Sequence, residues 1–283
     1  MKYILLMLLT CSFAYSQNTI VYDKENNLAF DIYYPTNFQE NQSYNILAWV
    51  HGGGFSGGSR NDVDEVKRMK DAQSRGYVAI SISYRLLANS PKGFGCDLPK
   101  KEKLYIFKEA AFDVLNALNY IQSNQKSLKI NINKLILGGS SAGAETILNA
   151  HYLRNIWFGN SFNHIKIDGL ISYAGAIVDD RFISNYNIVP TVFIHGLKDD
   201  VVPAYNFSHR SCGANQEGFM PLVGDFSLQN TSIVLQTPSF SIYSKNGKHE
   251  WSGLRNEYLN EIFSFIDNSI LKGFNETIIK YVD

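Results

Sequence analysis

From Asn18 onward, short apolar runs alternate with longer stretches whose apolar positions recur every three or four residues. The runs at 45–50, 77–84, 134–139, 167–174 and 191–195 have the length and continuous hydrophobicity of buried strands. Between them, 62–75, 105–124, 142–153 and 254–271 read as helices. The helix at 105–124 carries a stripe through Phe107, Ala110, Ala111, Val114, Leu118 and Ile121. Residues 19–22 and 28–34 predict an antiparallel opening ribbon that stops at Pro35. Residues 232–243 hold strand material interrupted by Pro238, and 86–104 form a long loop containing Pro91, Gly93, Gly95 and Pro99. Strand–helix alternation of this kind predicts an α/β fold, with a mostly parallel central sheet covered by helices on both faces. No internal repeat or linker divides residues 17–283, so one domain is expected, and its sheet starts too early for an N-terminal cap.

Two glycine-framed segments stand where predicted strands end. His51-Gly52-Gly53-Gly54-Phe55 follows 46–50, and Gly139-Ser140-Ser141-Ala142-Gly143 follows 134–138 and precedes a helix. The second matches G-x-S-x-G, which holds a serine on a sharp strand-to-helix turn. The first matches the HGGG loop, whose backbone N–H groups face a developing oxyanion. The N-terminal dipole of the helix at 142–153 adds positive potential near Ser141. A serine hydroxyl becomes nucleophilic when an imidazole takes its proton, and a carboxylate must orient that imidazole.

In this topology the acid and the histidine follow the serine, in that order. His195-Gly196-Leu197-Lys198-Asp199-Asp200 leaves a predicted strand and offers Asp199, with its neighbour Asp200 as the alternative. Two histidines follow. His209 lies in a segment expected to cross back over the sheet, whereas His249 sits in a Gly-Lys-His loop before the closing helix. Ser141, Asp199 and His249 are therefore the candidate triad. His51 and His195 are expected to support loop geometry, and His151 and His164 have no motif context.

Composition narrows the classes. The 283 residues are 45% hydrophobic, with 18 Phe and 17 Tyr, enough for one large core. Twenty-six basic and 26 acidic residues cancel, so there is no electrostatic footprint for nucleic acid or an anionic membrane surface. Lys2, the apolar Ile4–Leu9 run and Ala14-Tyr15-Ser16 read as a signal peptide, residues 1–16, cleaved before Gln17. Its apolar core is too short for a stable bilayer anchor. Cys11 raises a lipoprotein alternative, though Thr10 fits such a signal poorly. Export, to the periplasm or beyond, would leave Cys96 and Cys212 in an oxidising compartment. Both lie in loops leaving the carboxyl ends of strands, which predicts a disulfide between them, with two free thiols as the alternative. Neither cysteine has zinc-ligand spacing, so no metal is expected.

The segments 51–55, Gly58, 81–86, 139–143, 195–203 and His249 resemble the α/β-hydrolase superfamily. Within it they are similar to HGGG-bearing carboxylesterases, the hormone-sensitive-lipase-like and type-B carboxylesterase neighbourhood, and to secreted bacterial acetyl and feruloyl esterases. The resemblance implies a cofactor-free serine ester hydrolase working through an acyl-enzyme on Ser141, with Asp199 and His249 completing the triad and the Gly53, Gly54 and Ala142 N–H groups as oxyanion donors, acting on small or polysaccharide-linked esters. Gly139-Ser140-Ser141 lacks the acidic residue many lipase-like relatives place before the serine. Phe55, Trp251 and the 86–104 loop are expected to border the substrate pocket. A serine exopeptidase and a non-catalytic hydrolase-fold binding protein are the rival readings.

Overall fold

Parallel pairing of strands with continuous apolar runs generates the centre of the molecule. The computed structural model describes residues 18–87 and 93–283. Its strands are β1 (Asn18–Asp23), β2 (Leu28–Tyr33), β3 (Ser43–Val50), β4 (Val78–Ile82), β5 (Asn131–Ser140), β6 (Gly169–Tyr173), β7 (Ala176–Ile177), β8 (Thr191–Gly196), β9 (Asn206–Ser208), β10 (Pro221–Gly224), β11 (Ser239–Ser244) and β12 (Thr277–Val282). The helices are α1 (Val63–Ser74), α2 (Lys100–Ser123), α3 (Ala142–Phe158), α4 (Asp225–Val234) and α5 (Leu259–Phe265). Nine strands form one sheet in the order β1-β2-β4-β3-β5-β6-β8-β11-β12. The opening ribbon pairs antiparallel with itself and with β4, and every later pairing is parallel. A small second sheet, β7-β10-β9, lies beside it. The proposed signal segment, 1–16, lies outside the described residues.

Both faces of the sheet are buried, as parallel strands require. One face carries Ile46, Ala48, Val50, Leu135 and Leu137 against the apolar stripes of α2 and α3. The other carries Leu47, Trp49, Ile136 and Ile171 against Met69 and Ala72 of α1 and Ile262, Phe263 and Phe265 of α5. Side chains alternate between the two faces because the strand repeat is two residues.

Three elements differ from the sequence reading. Helix α2 starts at Lys100, not 105, because Pro99 occupies its N-cap and the first turn is charged enough to hide the periodicity. Residues 232–234 are helical, not extended. Asp225, Leu228, Gln229 and Ser232 bury one side of α4, and tertiary burial overrides the β-branched Thr231, Ile233 and Val234. The closing helix starts at Leu259 after a 3₁₀ turn at Asn256–Tyr258, and widens to a π turn over Ile266–Leu271. Beyond it, β12 adds a parallel edge strand that the sequence reading did not find.

Cys96, just ahead of α2, is bonded to Cys212, with Cα atoms 5.4 Å apart and 116 residues between them in sequence. Closing so long a ring restricts the unfolded chain by an amount worth at most ~5 kcal/mol. Replacing both cysteines by serine is expected to lower stability by about 2–4 kcal/mol. Chemical or thermal denaturation checks this; an unchanged midpoint contradicts it.

Candidate active site

The carboxyl ends of β3, β5, β8 and β11 all open on one edge of the sheet, where doubly wound α/β folds place their ligands. Register aligns them: Val50 pairs with Gly139, and His195 with Tyr243. Ser141 leaves β5 at φ 50° and ψ −122°, a left-handed conformation uncommon for a non-glycine residue, and α3 begins at the next position. Two bonds hold this turn: the Ser141 N–H donates to Tyr173 O at 2.8 Å, and the Ser141 carbonyl accepts from Glu145 N–H at 2.9 Å.

Gly143 explains the motif's last position. A Cβ there would stand 2.1 Å from Val50 O, so no side chain permits α3 to pass this close to β3. The HGGG loop lies against the same turn, since a Cβ on Gly52 would come within 3.4 Å of Ser141 Cβ. Gly53 has φ 112°, and its missing Cβ would meet Gly57 O at 2.1 Å. Among the described residues no acceptor takes the N–H groups of Gly53 and Gly54. Ala142, first in α3, has no intrahelical partner for its N–H.

Ser141 Oγ donates to His249 Nε2 at 2.8 Å, and His249 Nδ1 donates to Asp199 Oδ2 at 2.7 Å. An ionised carboxylate accepts only, which fixes the His249 tautomer with its proton on Nδ1. The Asp199 side chain is fully buried, and its Oδ1 accepts from the Val201 and Val202 N–H groups at 2.8 and 3.0 Å. Asp200 turns outward, 3.7 Å from Lys248 Nζ with both side chains exposed. Asp199, not its neighbour, thus meets His249.

Beneath this line lies a second charged layer. His195 Nε2 donates to Val202 O at 3.0 Å and stands 3.4 Å from Asp199 Oδ2, while its Nδ1 donates to Asp225 Oδ2 at 3.1 Å. Asp225 also accepts from Ser172 Oγ and Gly175 N–H at 2.7 and 2.8 Å, a donor set suited to a carboxylate. Burial opposes a charge on His195, but the carboxylates of Asp199 and Asp225 outweigh it and lift its pKa to about 10. Burial likewise opposes the Asp199 charge, and its bonds to His195 and His249 prevail, holding it below the usual carboxylate range. His51, stacked on Tyr84, bonds Gly52 O through Nδ1 at 2.7 Å; burial lowers its pKa, in keeping with a loop-supporting role.

His209 is not the base that meets Ser141, yet it does not lie out over the sheet either. It is buried with Nε2 3.5 Å from Glu145 Oε1. Burial raises the Glu145 pKa well above normal, against the pull of Arg210 and Lys103, and burial aided by Lys103 and Arg210 depresses that of His209. Sequence reasoning passed over Glu145, Asp225 and Arg210. None carries a motif signal; only packing brings them here.

A cavity of about 540 Å³ opens over Ser141 and His249, lined by Gly52–Gly54, Arg68, Arg210 and Leu254 among others. Phe55 and Trp251, expected at its border, are not part of the lining. Phe55 is fully buried among Phe94 and Phe107, with ring centroids 4.8 and 5.1 Å away. Trp251 packs into the opposite core layer beside Tyr258. Each is too apolar to remain at a hydrated rim when a core layer is within reach.

Residues 30–175 match the BD-FAE family model, just over half of the chain. The chain belongs to the BD-FAE family. That match includes the HGGG loop and Ser141 and stops before Asp199 and His249. Venom carboxylesterase-6 of Apis mellifera is 30% identical over 146 residues, 52% of this chain. The chain spans about a quarter of that relative's length, 24%. Native esterase 2 of Thermogutta terrifontis superposes with a TM-score of 0.64 at 14% identity, over 90% of this chain and 92% of that one. The same esterase phosphorylated by paraoxon gives 0.64 at 14% identity, over 92% and 95%. Their common fold is the α/β-hydrolase fold.

The charged layer makes stability depend on alkaline pH. His195 has a folded-state pKa above its unfolded value of roughly 6.5, so its contribution is complete below that value and is lost as pH rises towards about 10. Wild-type protein should lose stability across this window, and His195→Gln should show a flatter profile there. Urea midpoints measured from pH 6 to 10 test it; parallel profiles for the two proteins contradict it.

Proposed function

We propose that the protein is a serine carboxylic-ester hydrolase. The observation that carries this reading is the continuous line Ser141–His249–Asp199, bonded at 2.8 and 2.7 Å beside the Gly53 and Gly54 N–H groups, which meet no acceptor among the described residues. His249 takes the Ser141 proton as Oγ attacks the ester carbonyl. The tetrahedral oxyanion receives hydrogen bonds from the Gly53, Gly54 and Ala142 N–H groups. Collapse expels the alcohol, to which His249 returns the proton, leaving an acyl-enzyme. Water, deprotonated by His249, then releases the acid and restores Ser141. Asp199 holds the imidazole and offsets its transient charge, while His195 and Asp225 hold Asp199. Each oxyanion donor contributes about 3 kcal/mol to such transition states. None of these steps requires a metal or an organic cofactor.

The similarity to a carboxylesterase and to the fold of an esterase that paraoxon phosphorylates supports this class. The Cys96–Cys212 bond supports export to an oxidising compartment after removal of residues 1–16. Among the described residues no helix is long and apolar enough to cross a membrane.

Ser141→Ala is expected to lower kcat for p-nitrophenyl butyrate by roughly five orders of magnitude or more, with folding unchanged. Paraoxon should label wild-type protein on Ser141 and leave the variant unmodified, as peptide mass spectrometry would show. Near-normal turnover by Ser141→Ala would refute the assignment. Aminoacyl anilide cleavage outpacing ester cleavage would favour an exopeptidase instead.

A further inference from the structure

Arg210 is a charged side chain in the cavity over Ser141 that no step of the proposed hydrolysis uses. A Cβ built on Gly54 would come 3.2 Å from its Nη2, so the guanidinium lies against the HGGG loop. Among the described residues Arg210 makes no side-chain hydrogen bond, ion pair or ring contact, and its Nε is buried without a partner. A buried donor on a permanent cation is costly to leave unmet, which marks this group as awaiting an acceptor.

Its placement is fixed by the backbone. Arg210 adopts φ 54° and ψ 28°, a left-handed conformation, and its N–H donates to Val201 O at 2.8 Å. The Arg210 carbonyl oxygen lies 3.8 Å from Cys96 Sγ, and the Cys96–Cys212 bridge anchors the chain two residues further on. The electrostatic neighbours of Arg210 include Lys103 and Glu145. Lys103, fully buried and donating to Gly218 O at 2.8 Å, repels Arg210. Glu145, the nearby carboxyl, forms no ion pair with Arg210, and burial raises its pKa well above the usual carboxylate range. The acidic residues of the cavity lining are Asp62, Asp64 and Glu65, and none of them is ion-paired with Arg210: Glu65 pairs with Arg68 at 3.4 Å, and Asp62 accepts from Ser59 N–H at 2.9 Å.

We propose that Arg210 is a specificity-determining residue that binds a carboxylate carried by the ester substrate. The inference rests on the serine-hydrolase reading and names its substrate class: esters in which the acid or the alcohol component bears a second, free carboxylate. The planar guanidinium fork suits a carboxylate in two-point contact, and its position beside the HGGG loop seats that group while the scissile carbonyl lies over Ser141. The anion would satisfy Arg210 and relieve its repulsion with Lys103.

Two ester pairs locate the carboxylate. Mono-p-nitrophenyl adipate against p-nitrophenyl hexanoate places it on the acid side; p-acetoxybenzoate against p-acetoxybenzamide places it on the alcohol side. Wild-type kcat/KM should favour the anionic member of at least one pair by about tenfold or more. Arg210→Gln should reduce that anionic-to-neutral ratio by about the same factor, while Arg210→Lys retains part of it. Calorimetric titration with adipate and with p-hydroxybenzoate, the products, gives a readout that needs no turnover. Binding of one by wild type and its loss in Arg210→Gln support the assignment. Equal ratios and equal product binding in wild type and Arg210→Gln overturn it, whatever the turnover. Absence of ester hydrolysis, with product binding still dependent on Arg210, would instead strike at the Ser141 reading alone.

Discussion

The site depends on how closely the first turn of α3 approaches the end of β3. Gly143 leaves 2.1 Å between Val50 O and the place where its Cβ would be, and that contact brings the elbow and the HGGG loop together. Any larger residue would drive α3 away from the sheet, and Ser141 would leave the loop whose N–H groups it faces. The left-handed Ser141 backbone follows from the same geometry. The chain must turn from strand to helix in one residue, and strain at that residue is held by its bonds to Tyr173 and Glu145.

Charge is organised around the same edge. Five side chains form an unbroken line, Ser141, His249, Asp199, His195 and Asp225, of which only the first two reach the cavity. An isolated buried carboxylate would drift towards neutrality. Asp199 escapes this through two backbone donors and a buried imidazolium, and that imidazolium is in turn neutralised by Asp225. The layered arrangement therefore keeps a negative charge fixed behind His249 in a dry interior. Removing Asp225 would leave His195 with one carboxylate instead of two, so a residue far from the serine helps set the charge of the acid.

Much of this was legible in the sequence. The strands that carry Gly53, Ser141 and Asp199 are continuous apolar runs, and the motifs at their ends have fixed backbone requirements. Ser141, Asp199 and His249 could be named for that reason, and the structure brings these three together. The misread parts have a common cause. Helix α4 and the start of α2 are fixed by what they bury, not by local propensity, and Phe55 and Trp251 join core layers that periodicity cannot assign. Glu145, Asp225 and Arg210 are single polar residues without a motif, and only the folded chain juxtaposes them.

The BD-FAE match ends at residue 175, and that boundary has a physical counterpart. Residues 30–175 build the elbow, the HGGG loop and half of the sheet, all subject to strict close-packing limits. The later segments deliver Asp199 and His249 on loops that follow β8 and β11, and Arg210 on the turn that follows β9. A loop need satisfy only the position of one side chain, so many sequences can serve. The acid and base are further fixed by mutual hydrogen bonds, whereas the Arg210 side chain has no such partner among the described residues. Its backbone is nevertheless set by the fold: the small β7-β10-β9 sheet and the Cys96 bridge hold the segment that presents it.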